Sequence, residues 1–167
     1  MRGVGGRGWP ERAVVSCGIA LGLLGAAVAH AGGRSLGDRI PGLERARLGA
    51  RERLGRPECQ AVLADFESVN GGRLDLVLRS TGRTAQEQLE QLVLGSGLGR
   101  AGCGAGQLAF TRVGSSTVSI CLRPFTLLPA AEQDAVLIHE MLHSLGLGEN
   151  PPESVAITAQ IMRRCGH

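Results

Sequence analysis

His139-Glu140-Met141-Leu142-His143 sets two imidazoles four residues apart with a carboxylate beside the first. On a helix, a step of four returns to nearly the same face, so both rings can reach one metal ion. Glu140 then stands about 100° around the axis, able to touch a water on that metal without ligating it. Shuffling a chain with this composition produces the H-E-x-x-H pattern in roughly 0.006 of cases. Two histidines and a glutamate inside an apolar helix are costly unless something satisfies them, and a metal ion would. The plainer alternative is a polar cluster closed by hydrogen bonds within the core.

The flanks predict the element that must carry the motif. Ala130 to Leu145 is apolar almost all the way round, which marks a buried helix. Pro129 suits its first position, Glu132 and Asp134 put negative charge near its start, and Gly146 can end it. A catalytic zinc takes three protein ligands and leaves a fourth position for water. Two histidines and one glutamate form such a set, and the candidates for the third ligand are Glu149, His167 and Glu153. Asn150-Pro151-Pro152-Glu153 reads as the start of another helix, with Asn150 as N-cap and Pro151 at the first turn. Ser154 to Arg164 would continue it on Val155, Ile157, Ile161 and Met162.

The segment from His139 to Glu149 resembles the metzincin metallopeptidase motif H-E-x-x-H-x-x-G-x-x-H, with Glu149 where that family has its third histidine. Residues 136–165 are also similar to the C-terminal part of secreted bacterial metallopeptidase-like proteins. The shared wording is H-E-x-L-H-x-L-G-L-G-E-x-P-P followed by a terminal arginine and cysteine. The resemblance implies a zincin-like domain, a zinc ion, a polypeptide substrate and Glu140 as general base. Met162 is the only methionine downstream; it lacks turn-forming neighbours and is expected to pack in the core, not to form a methionine turn.

The beginning of the chain reads as an export signal. Arg2, Arg7 and Arg12 precede an apolar run from Ala13 to Ala29 that ends in Ala29-His30-Ala31, the pattern of a signal peptide cut after Ala31. The expected location is secreted or periplasmic, with no membrane association once the signal is gone. The remaining 32–167 keep Cys59, Cys103, Cys121 and Cys165, and four cysteines in an exported protein suggest two disulfides. Cys59 with Cys165 and Cys103 with Cys121 are the expected pairs. The alternatives use a thiol on the metal: Cys59 as a latency cysteine, or Cys103 as a ligand in a deformylase-like site.

Composition excludes more than it identifies. All 18 basic residues are arginine, against 15 acidic ones, and no basic stripe is interleaved with aromatics, so nucleic-acid binding has no support. Residues 32–56 are Gly- and Arg-rich and read as a linker, a short pro-segment or a loosely helical arm, with the packed domain expected over 57–167. Within it, Cys59 to Val69 has helical spacing, Leu74, Leu76 and Leu78 alternate like a strand, and Thr84 to Leu92 carries a capping box. Gly95 to Gly106 reads as a loop, and Gln107 to Arg112 with Thr117 to Leu122 as a hairpin. The expected fold is a small α+β domain, monomeric, with a short antiparallel sheet packed on the buried metal helix. The expected function is an exported zinc peptidase. The alternative is a non-catalytic binding protein whose zinc is structural or vestigial, marked by a closed fourth coordination position.

Overall fold

The computed structural model describes residues 41–104 and 106–166. The expected signal peptide, its cleavage site and His167 lie outside them. The described residues form an α+β fold of seven α-helices and one three-stranded mixed sheet.

The expected metal helix is the axis of this fold. Every residue from Gln133 to His143 in the helix Ala130–Ser144 is buried. Its N-cap is Pro129, one position earlier than the sequence reading placed it. There the fixed φ is compatible with extended backbone, and the Pro129 carbonyl accepts from the Glu132 and Gln133 amides.

The first described helix, α1 (Pro41–Leu54), packs along that axis. Leu43, Ala46, Ala50 and Leu54 recur every three or four residues and are fully buried. From Pro41 onward the segment expected to be a linker is therefore core, and the packed domain begins well before Pro57. Burial of Leu43 and Leu54 stabilises by roughly 1.5–3 kcal/mol each. Gly49 lets the two helices approach closely, since a Cβ there would come within 2.6 Å of the Asp134 carboxylate. That carboxylate accepts from Arg53 Nε at 2.9 Å.

A short helix, α2 (Pro57–Gln60), and a 3₁₀ turn (Ala61–Ala64) replace the single helix expected as far as Val69. Helix α3 (Leu74–Ser80) stands where alternation predicted a strand. Leu74 and Leu78 are buried, whereas Leu76 is 51% exposed, so the spacing that decides is four and not two. Helix α4 (Ala85–Glu90) has the predicted capping box: Thr84 Oγ1 accepts from the Glu87 amide, and the Glu87 carboxylate accepts from the Thr84 amide.

Strands β1 (Val93–Ser96), β2 (Ala109–Thr111) and β3 (Thr117–Ile120) form the sheet in the order β1-β3-β2. β2 and β3 make the expected antiparallel hairpin, pairing Ala109 with Ile120 and Thr111 with Val118. β1 runs into the segment read as a glycine-rich loop and pairs parallel to β3, so the sheet is mixed and not purely antiparallel. After a short α5 (Leu122–Thr126) the chain enters the axial helix, α6 (Ala130–Ser144).

The last helix, α7 (Ser154–Cys165), is capped by Glu153 and not by Asn150. Asn150 has φ 60° and its amide donates to the Pro152 carbonyl at 2.9 Å, so the segment read as a helix start is a turn. Ile157 and Ile161 are buried, and Met162 packs against the core from within the helix; Val155, expected as an anchor, is 79% exposed. Both expected cysteine pairs are at disulfide distance, Cys59 with Cys165 across the chain ends and Cys103 with Cys121 beside the sheet. Among the described residues no helix is long and apolar enough to cross a membrane.

Candidate metal centre

Helix α6 turns His139 and His143 to one side, as their spacing requires. Their Nε2 atoms lie 2.9 Å apart, with ring planes tilted by 56° so that the rings converge at their tips without stacking. Gly146, at φ 102°, ends the helix in a conformation that side chains rarely adopt and reverses the chain. The reversal is anchored on its far side: the Val69 amide donates to the Gly146 carbonyl at 2.9 Å. It returns Glu149 to the histidines, with Oε1 3.2 Å from His143 Nε2 and 3.4 Å from His139 Nε2. His139, His143 and Glu149 are thus brought together as a group able to hold a metal ion.

Three donors at these separations can all lie about 2.0–2.1 Å from one common point, the bond length a zinc-sized ion needs. The outer ring atoms support the same reading. His143 Nδ1 donates to the Leu147 carbonyl at 2.8 Å, so in the neutral ring its Nε2 bears a lone pair facing the group. His139 Nδ1 lies 3.0 Å from the Thr158 hydroxyl of α7. A metal-binding histidine anchored through its second nitrogen is the usual arrangement.

The electrostatics favour an unprotonated His139 and an ionised Glu149. Burial, helped by the neighbouring His143, pushes the His139 imidazole down to about 4 against the opposing pull of Glu149. Burial works against ionisation of Glu149, but the Ser154 hydroxyl and the two imidazoles outweigh it and hold its carboxyl below the ordinary glutamate value. An unprotonated His139 imidazole beside the Glu149 carboxylate is suited to a cation.

Glu140 stands apart from the ligand group, as its position on the helix dictates. Its side chain faces the same cleft from beneath β2, and burial pushes its carboxyl up. The nearby Thr111 hydroxyl and His143 favour the ionised form without reversing that shift. Neither Glu140 Oε2 nor Thr111 Oγ1 completes a hydrogen bond, so a buried acceptor is left open at the cleft floor. The cleft has a volume of about 620 Å³ and is walled by β2, α6 and the first turns of α7.

Of the rival ligands, His167 lies outside the described residues. Glu153 caps α7 and stands outside the group, and Cys59 and Cys103 are each committed to another cysteine, which removes the latency and deformylase-like arrangements. Among the described residues no fourth histidine, cysteine or acid joins the three ligands. Thr158, Ser154 and Thr111 were invisible to sequence reasoning, because nothing in the pattern of α7 or β2 marks which hydroxyl will meet a histidine 19 residues away. Compared with protein-family models, with curated proteins and with solved structures, the chain matches none.

Proposed function

We propose that this protein is an exported zinc-dependent peptidase of zincin-like fold. The observation that carries the reading is the convergence of His139 Nε2, His143 Nε2 and Glu149 Oε1 beside a buried, unpartnered Glu140 oxygen. Zinc suits two imidazoles and a carboxylate, and when bound it would polarise a scissile carbonyl and acidify a water.

The chain's own groups supply the rest. Glu140, with its carboxyl raised by burial, accepts the proton of the attacking water and returns it to the leaving amine. Burial makes its carboxylate a better base than in water, and its Oε2 has no hydrogen-bond partner to compete with the water. The substrate's backbone is held by β2, the edge strand over the cleft. The Cys121 amide donates to the Leu108 carbonyl at 2.9 Å, so antiparallel alternation commits Leu108 and Phe110 to β3. The main-chain groups of Ala109 and Thr111 are then directed to the free edge, where an extended peptide can add as a further strand. Two paired disulfides fit the oxidising environment beyond the cytoplasm, secreted or periplasmic.

The test is a zinc titration of the purified protein followed by a peptidase assay with and without a chelator. One zinc per chain and chelator-sensitive cleavage are expected. Zinc held without any cleavage would favour the non-catalytic binding protein, and failure to take up zinc would defeat both readings.

A further inference from the structure

Glu149 is the one member of the ligand group that α6 does not carry, so its distance from the histidines is set by the turn that follows the helix. That turn lies against a piece of chain far away in sequence. Between the 3₁₀ turn Ala61–Ala64 and α3, residues Glu67 to Arg73 double back on themselves. Glu67 bridges Arg73, the Ser68 amide donates to the Gly72 carbonyl at 3.0 Å, and the Ser68 hydroxyl donates to the Gly71 carbonyl at 2.8 Å. Gly71 and Gly72, at φ 83° and 85°, make the reversal.

This hairpin adds little to the core: no residue from Glu67 to Arg73 is buried. Its ends are fixed, because Leu63 before it and Leu74 after it are buried. What it touches is the ligand turn. Ser68 pairs with Leu147 in an antiparallel bridge, and the Val69 amide donates to the Gly146 carbonyl at 2.9 Å. Both glycines of the turn permit this approach: a Cβ at Gly146 would lie 3.2 Å from the Ser68 Cβ, and one at Gly148 would lie 2.7 Å from Val69 Cγ1. Gly148 directly precedes Glu149. Ser68 and Val69 line a separate groove with Gly148, Pro151 and Pro152, outside the metal cleft.

We propose that the hairpin Glu67–Arg73, with Ser68 and Val69 as its positioning residues, fixes the turn so that Glu149 reaches a metal held by His139 and His143. The inference rests on the metal reading of the site and adds to it a segment that supplies no ligand. A carboxylate on a free turn would lose conformational freedom each time a metal bound. Holding the turn beforehand removes that cost.

The experiment compares two pairs of substitutions with similar backbone strain in the full chain. Gly71, Gly72, Gly82 and Gly99 all have φ between 71° and 85°, with open space where a Cβ would stand. Gly71→Val with Gly72→Val distorts the hairpin, whereas Gly82→Val with Gly99→Val strains turns elsewhere. Zinc affinity, read by chelator competition, should fall by at least about tenfold in the hairpin pair and by less than about twofold in the control pair. Because the hairpin acts through Glu149, adding the hairpin pair to Glu149→Gln should weaken binding by less than about threefold further. Gly71→Ala alone should shift affinity in the same direction if the double variant does not fold. Unchanged affinity in the hairpin pair, an equal loss in the control pair, or a further loss beside Glu149→Gln as large as in wild type overturns the proposal. Amide exchange gives a readout without metal: the Leu147 and Asn150 amides, which donate to the Leu142 and Pro152 carbonyls, should exchange faster in the hairpin pair than in the control pair. Should wild type bind no zinc, the peptidase reading fails instead, and equal exchange rates in the two pairs would still overturn the hold of the hairpin on the turn.

Discussion

Leu147 holds His143 through its backbone: the Leu147 carbonyl oxygen accepts from Nδ1 at 2.8 Å across the turn that ends α6. The contact exists because Gly146, between them, takes φ 102°. The same turn delivers Glu149, so one backbone reversal orients a ligand and supplies another. Gly146→Val should therefore cost about 1–3 kcal/mol in urea unfolding, since a side chain is strained at this φ and its Cβ would lie 3.2 Å from that of Ser68. It should also weaken zinc binding by at least about tenfold through the displaced carbonyl. Unfolding and zinc titration of the same variant check both effects, and wild-type zinc affinity would detach the turn from the site.

Glu149 is the ligand least constrained by its surroundings, with a side chain 35% exposed against 7% and 6% for the histidines. Replacing its carboxylate by an amide removes the only negative charge in the ligand group. Glu149→Gln should lower zinc affinity by at least about tenfold, and Glu149→His should recover much of it with a third imidazole. Competition against a coloured chelator measures this. Equal binding by Glu149→Gln would mean that another group completes the shell.

The metal-free protein should lose stability in mild acid through His139. Burial, reinforced by His143, keeps its imidazole at about 4 in the fold, below its ordinary value of about 6.5. Between those values the unfolded chain binds a proton that the native site refuses, so stability falls as pH drops from about 6.5 to about 4. Above that window the group contributes no pH dependence, and below it the loss levels off. The loss should be at most about 3 kcal/mol and should be absent from His139→Asn. Urea midpoints of chelator-treated protein across this range provide the check; identical curves for the two proteins would contradict it.

Helix α1 should prove inseparable from the domain. Its Leu43, Ala46, Ala50 and Leu54 are fully buried, and Arg53 reaches both the Asp134 carboxylate and the Cys165 carbonyl. A chain starting at Gly55 loses roughly 3–6 kcal/mol from the two leucines alone, comparable with the whole stability of a small domain. It should show no cooperative thermal transition by circular dichroism. A sharp transition in that truncated chain would restore the reading of this segment as a removable arm.

What could be read from the chain depended on how local the deciding interaction is. The helix around His139 and Glu140 was legible because its motif, apolar stretch and terminating Gly146 lie within a few turns. The cysteine pairs were reached by the same economy, from four thiols and three possible pairings. Leu74, Leu76 and Leu78 misled because three leucines two apart satisfy a strand on every second residue and a helix on every fourth, and only packing leaves Leu76 outside. In α1 the helical signal was carried partly by Ala46 and Ala50, which composition hid among arginines and glycines. β1 depends on a parallel partner more than 20 residues away, and its Gly95 argued locally for a loop. Asn150 failed as a cap because the turn bearing Glu149 claims it first, with the Asn150 amide donating to the Pro152 carbonyl.

The most direct measurement is turnover of a peptide substrate by Glu140→Gln beside its zinc content. Glu140 makes no ligand contact and its Oε2 has no partner, so the amide should leave the metal site intact while removing the base. One zinc per chain with cleavage reduced by about 100-fold or more is the predicted result. Undiminished cleavage by this variant, or cleavage by wild type that survives complete removal of zinc, would contradict the account.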